Sequence, residues 1–301
     1  MRIRHRSFLS LLIPAYFTVS GCADVEAQEH AHVEAQEQGL SAVKGGPWSD
    51  PSTWSGGAVP GEGDIVTIGE GIDVILDVSP PALNGMNLNG KLSFADDEDV
   101  ELTTEWILMR GDLHAGSESS PHTRNATITL TNSVSDENIN GMGDRGILIV
   151  GGTLSLHGDR ENAWTKLAET AEAGSATIKV LDASEWRVGD EIVLASTDFD
   201  PRQAETRHIS AIGGNTITLD RPLEYMHYGE ITFDVDERGE VGLLTRNIKV
   251  QASADADDDW FGGHIMAMDG STMTVSGVEI TQLEQFDLRF GRFSGSRAEL
   301  V

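Results

Sequence analysis

The sequence is poor in positive charge, in cysteine and in aromatic rings. Its 301 residues carry 21 Lys and Arg against 49 Asp and Glu, a formal net charge of −28. A protein that tracks a phosphate backbone needs a basic face, so the balance excludes nucleic acid as the natural partner. Only five of the basic residues are Lys. Such an excess of carboxylate resists salting-out and fits a saline habitat. The single cysteine, Cys22, rules out an intramolecular disulfide framework. Aromatics make up 6% of the chain, so its apolar content rests on Leu and β-branched residues in short runs. At 39% hydrophobic residues overall that suffices for a core.

The N-terminus has a basic start, Arg2, Arg4 and Arg6, followed by an apolar stretch from Phe8 to Phe17. That stretch is too short to span a bilayer and reads as an export signal. It ends Val19-Ser20-Gly21-Cys22, which resembles a bacterial lipobox and gives Cys22 a purpose as the lipidated residue. Residues 1–22 are therefore expected to be a lipoprotein-type signal, with the mature protein at the outer membrane or cell surface. Cleavage before Cys22 removes three Arg and no acid. Residues 23–44 repeat Val-Glu-Ala-Gln-Glu at Val25 and Val33 with little apolar content, and are expected to be a flexible acidic tether.

Past Gly45, clusters of Gly, Pro and Asn separate runs such as Asp64–Ile68, Val74–Val78, Lys91–Phe94, Ala126–Leu130 and Gly146–Val150. Runs of this length between turn signals predict strands. The one helical pattern is Ala163–Ala173, rich in Ala and Glu and stopped by Gly174. Without crossover helices a doubly wound sheet is excluded, and the expected class is all-β: a sandwich, a barrel or a parallel β-helix.

The segment Trp48-Ser49-Asp50-Pro51-Ser52-Thr53-Trp54-Ser55-Gly56-Gly57, followed by Pro60-Gly61-Glu62-Gly63-Asp64, resembles the start of a G8 domain. Further on, Val188–Phe199 with Gln203-Ala204-Glu205, then Arg238–Ile248 and Phe261-Gly262-Gly263-His264, are similar to the region after that domain in cell-surface hyaluronidases of the cell-migration-inducing and transmembrane type. The resemblance implies a G8-like β domain over residues 45–175 that leads into the first coils of a right-handed parallel β-helix over 176–301. It also implies a polysaccharide partner, a glycosaminoglycan in the first instance. After Leu283 the sequence departs from the family's pattern, with Gly291-Arg292-Phe293 followed by Ser294-Gly295-Ser296-Arg297 in place of a paired His. A truncated, inactive relative of hyaluronan-degrading enzymes is one expectation, and a non-catalytic carbohydrate-binding or adhesion module is the other.

If the relation includes catalysis, the residue types are available. Glycoside hydrolysis commonly needs one protonated and one ionised carboxyl group, and Asp198, Glu205 and Glu240 are the candidates. A lyase needs a base and a cation to neutralise a uronate, parts that Arg246, Arg238 and His264 can take. Gln203, Arg238 and Trp260 are candidate ligand contacts. The same charged residues beside tight turns can equally be ion pairs that fasten strand layers together. His208 and His264 lie in apolar strand contexts with no His or Cys partner at metal-ligand spacing, so no zinc site is expected. The acidic run Asp255, Asp257, Asp258 and Asp259 offers hard oxygens to Ca²⁺ but lacks the Gly and Glu of an EF-hand loop. Because hyaluronan is a polyanion, a chain this acidic needs a local basic groove or bridging cations to hold it.

Overall fold

A computed structural model describes residues 39–134, 137–256 and 262–283. The elements that lie wholly among them are strands and four short 3-10 turns. The sequence pattern of alternating burial explains the architecture. Ile65–Ile68, Lys91–Phe94, Asp112–Ala115 and Glu191–Leu194 each bury every second residue, as pleated strands with one face on a core must.

Most of the chain winds into stacked parallel coils. One face of the stack runs through Ile65–Ile68, Leu83–Leu88, Val100–Met109, Ala126–Leu130, Ile248–Ala252 and Val278–Thr281, every neighbouring pair parallel. The long strand Val100–Met109 bends midway. Its first half pairs with Ala126–Leu130, whereas Trp106–Met109 pairs with Gly146–Ile149, which in turn pairs with His264–Ala267. A further face is built from Gly46–Pro47, Asp73–Leu76, Lys91–Phe94, Asp112–Ala115, Thr153–His157 and Thr272–Ser276. The topology is that of a parallel β-helix.

Register converts the short apolar runs into ladders. Ile68, Leu88, Met109, Ile149 and Ala267 occupy successive rungs, and Val74, Leu92, Leu113, Leu154 and Met273 do so on another face. These side chains fill the interior, each apolar group stacking on its like in the next coil. At the first coil Trp48 and Trp54 are buried in an edge-to-face pair with centroids 4.6 Å apart, and the Trp54 indole N–H donates to the Trp48 carbonyl.

Between His157 and Asn247 the chain leaves the coils and builds a different object. Trp164–Lys166, Glu240–Leu243, Glu191–Leu194, Glu205–Gly213, Thr216–Leu219 and Thr177–Lys179 form one antiparallel sheet in that order. It has its own core, centred on Ile178, Trp186, Ile192, Leu194, Ile217 and Val241. Asn247 closes the excursion. Its side-chain amide donates to the carbonyls of His122 and Arg124, and its Oδ1 accepts the N–H of Asp159.

Two expectations meet a different arrangement. Parallel coils begin at Leu40–Ser41, inside the segment read as a tether, and run on to His157 through the segment read as a separate G8-like domain, and the 175/176 boundary falls within the antiparallel insertion. The helix read over Ala163–Ala173 is absent. Trp164–Lys166 is a strand, and Leu167 and Ala171 bridge to Val180 and His227. Helix propensity is a weak prior, and strand partners distant in sequence override it.

Candidate functional site

The outer face of the inserted sheet carries a cleft of about 480 Å³. Cross-strand register sets its floor. Trp164 lies opposite Gly242, Gly242 opposite Val193, and Val193 opposite Thr206. Ala195, Pro201 and Ala204 add apolar surface, and Asp198, Phe199 and Glu240 complete the lining. The loop after Glu191–Leu194 makes one wall. Ser196 Oγ donates to the Asp200 carbonyl at 2.8 Å, and Asp200 caps the turn Pro201–Gln203 through the Arg202 N–H. This leaves Phe199 fully exposed, facing solvent beside a Trp164 that is 57% exposed.

An indole or phenyl face matches the apolar face of a pyranose. The carboxylate of Asp198 accepts the N–H of Phe199 at 2.6 Å. Glu240 is exposed, and while its backbone carbonyl accepts the Ala195 N–H, its carboxylate has no hydrogen-bond or ion-pair partner among the described residues. Lys166, opposite Glu240 in register, is drawn away to Asp236 at 3.0 Å. The cleft therefore offers two acids, two aromatic faces and an apolar floor. Among the described residues no Lys or Arg lines it.

The pleat separates residues that the sequence suggested might act together. Glu205 is in register with Leu194, and Leu194 with Val241, so Glu205 faces the core while Glu240, next to Val241, faces out. Glu205 is 5% exposed and sits in a closed network. It accepts from the N–H groups of Glu224 and Tyr225, from Arg207 Nη2, and meets His227 Nε2 at 3.0 Å. Burial pushes the Glu205 carboxyl up, but the two amides, His227 and Arg207 outweigh it and hold it below its ordinary range. The other ring nitrogen of His227 meets the Ala195 carbonyl at 2.9 Å.

The remaining candidates lie apart. Arg238 forms a two-pronged pair with Asp236 at 2.8 and 3.0 Å. Gln203 ends the turn beside the cleft without lining it. Arg246 stands where the chain returns to the coils, and its Nη1 donates to the Thr245 carbonyl. Burial there weakens its hold on its proton. His264 belongs to the coils, its ring lying over Gly146, where a Cβ would come within 2.7 Å of Nε2. Asp255 is taken by the buried Arg145 at 3.1 Å and by the Ser253 hydroxyl. Its carboxyl is raised by burial but brought below the ordinary range by Ser253 and Arg145, so it is committed to an ion pair rather than free for Ca²⁺. Trp260, Asp257, Asp258, Asp259, Cys22 and the segment from Gly291 to Arg297 lie outside the described residues.

One constellation gave no sequence signal. Glu105, 1% exposed on the long coil strand, accepts the Val134 N–H at 2.5 Å, and its Oε2 is buried with no hydrogen-bond partner among the described residues. Burial pushes its carboxyl up to about 7, against the pull of the Val134 and Ser133 amides and with the help of the neighbouring Glu137. Glu137 itself accepts from the Asn84 amide at 3.2 Å and the Trp106 indole at 3.1 Å. A lone Glu inside an apolar strand and a second one some thirty residues later offer no spacing rule that would pair them.

Residues 53–168 match the G8 domain, so the chain carries one. The chain is similar to fibrocystin-L of Mus musculus, at 36% identity over 240 residues that make up 74% of this chain and 6% of that protein. It is also similar to a G8 domain-containing protein of Dictyostelium discoideum, at 29% identity over 82% of this chain and 23% of the relative. The chain thus spans less than a quarter of the length of these relatives. Among solved structures it is similar to the tailspike of Acinetobacter baumannii bacteriophage AP22 in complex with capsular saccharide, with a TM-score of 0.24 and 13% identity over 62% of this chain and 26% of that one. Among the described residues no helix is long and apolar enough to cross a membrane.

Proposed function

We propose, from the premise that the chain carries a G8 domain, that it is a non-catalytic carbohydrate-binding module of the cell surface whose sugar site is the cleft of the inserted sheet. The observation that carries this reading is the pair of exposed aromatic faces, Trp164 and Phe199, on a cleft that also holds Asp198 and Glu240. A sugar ring stacks on the indole while its hydroxyls donate to the carboxylates, a division of labour in which stacking supplies affinity and hydrogen bonds supply orientation. Export through residues 1–22 and a lipid on Cys22 keep the module at the bacterial envelope, and the tether lets it reach outward. Kinship with hyaluronan-degrading enzymes enters as shared ancestry without turnover. Glu205, Arg238, Arg246 and His264 serve the architecture, since each is engaged by partners or packing away from the cleft.

Retention of residues 23–301 in native gels containing soluble polysaccharide tests the proposal. Trp164→Ala and Phe199→Ala are expected to lose retention while keeping the unfolding midpoint of the parent. Equal retention of parent and both variants would remove the cleft as the sugar site, and shortening of the polysaccharide would overturn the non-catalytic reading.

A further inference from the structure

Resting on that reading, we propose that the cleft takes a glycan bearing free amino groups, of the glucosamine type, and turns polyanionic glycans away. Its charge pattern carries the inference. Asp198 has one N–H donor for its carboxylate, and Glu240 has none. The nearest cation in register, Lys166, is neutralised by Asp236, and Arg238 is held by the same carboxylate. A uronate or sulfate placed here meets two negative charges, and the flanking Arg202 is already paired with Asp200 at 2.8 Å, in a chain of net charge −28.

An ammonium group meets the opposite situation. The two carboxylates accept its protons, and the exposed faces of Trp164 and Phe199 attract a cation through the negative face of the ring. The apolar floor of Val193, Ala195 and Gly242 suits the carbon face of the same sugar. A hydroxyl-only sugar retains the stacking but forgoes the charge term, so it is expected to bind more weakly and with little salt dependence.

Calorimetric titration with three hexasaccharides, glucosamine, N-acetylglucosamine and hyaluronan, at low and high salt separates the possibilities. The amine is expected to bind about tenfold more tightly than its acetylated form at low salt, equivalent to ~1.4 kcal/mol, with the gap closing at high salt. Glu240→Gln is expected to close the gap as well, whereas Glu62→Gln, an exposed acid on the coils, is expected to leave it open. Equal affinity for amine and acetylated sugar, or tighter binding of hyaluronan, would overturn the charge inference and leave the sugar site standing. An equal loss in Glu62→Gln would mean that the acidic surface as a whole attracts the amine, which also overturns it. If none of the three sugars binds, the carbohydrate reading itself falls.

Discussion

Glu105 in the parallel coils and Glu205 in the inserted antiparallel sheet are both almost fully buried, yet the protein holds them in opposite states. Both feel two backbone amides, but burial with a second carboxylate alongside pushes Glu105 up to about 7, whereas an imidazole and a guanidinium join the amides to hold Glu205 low. Burial is common to both, so the partners decide the charge. The reason lies in how each region is built. A coil stack commits its backbone groups to the rungs above and below, so a polar side chain in it depends on what the covering loop offers. The inserted sheet adds Arg207 from the same strand and His227 from the segment that follows Tyr225, and both converge on the Glu205 carboxylate.

The contrast can be broken most severely at Glu205. Replacing it with Ala leaves Arg207 and His227 buried without their counter-charge, and a loss of about 3–5 kcal/mol is expected in chemical denaturation. In the coils the largest effect is steric. Gly85 lies opposite Trp106, and a Cβ there would collide with the indole ring. Gly85→Ala is expected to cost about 1–3 kcal/mol by overpacking and to disturb Trp106 fluorescence.

Changing pH sharpens the comparison further. Glu205 has a depressed folded pKa, so its contribution is present above the ordinary carboxylate range and is lost as pH falls below about 4.5. Glu105 has a raised folded pKa, so the folded coils bind the extra proton between about 4.5 and about 7, and stability falls as pH rises through that window. The effect is expected to be about 1–3 kcal/mol. Hydrogen exchange corrected for intrinsic rates checks this: the insertion should lose protection in acid and the coils near neutrality, and Glu105→Gln should abolish the second loss. Protection that changes in the same direction in both regions would refute the assignment. The smallest effect is expected for Trp164→Ala, within about 0.5 kcal/mol of the parent because the ring is mostly exposed.

The sequence made the strands legible where apolar residues alternate, as in Val66 and Ile68 or Leu92 and Phe94, and the resemblance around Trp48 and Trp54 made the G8 domain legible. It could not reveal that Ile149 stacks on Met109 rather than on Leu156, since parallel pairing is a matter of register between distant segments. The candidate site was half visible. Asp198 and Glu240 stood out as acids beside turns, and both line the cleft. Glu205 stood out equally, but its strand buries Glu205 and Arg207 on the face where apolar residues are expected, so the period-two pattern pointed to the wrong side. Trp164 was hidden within a helix-like composition, and Phe199 within an acidic loop.

Asn247 ties the point where the chain leaves the coils to the point where it returns. A single amide side chain thereby makes the excursion a graft rather than a rung. The ladders on either side keep their pitch whatever the graft contains, so its loops can lengthen, shorten or exchange aromatic residues over generations without a new solution for the scaffold.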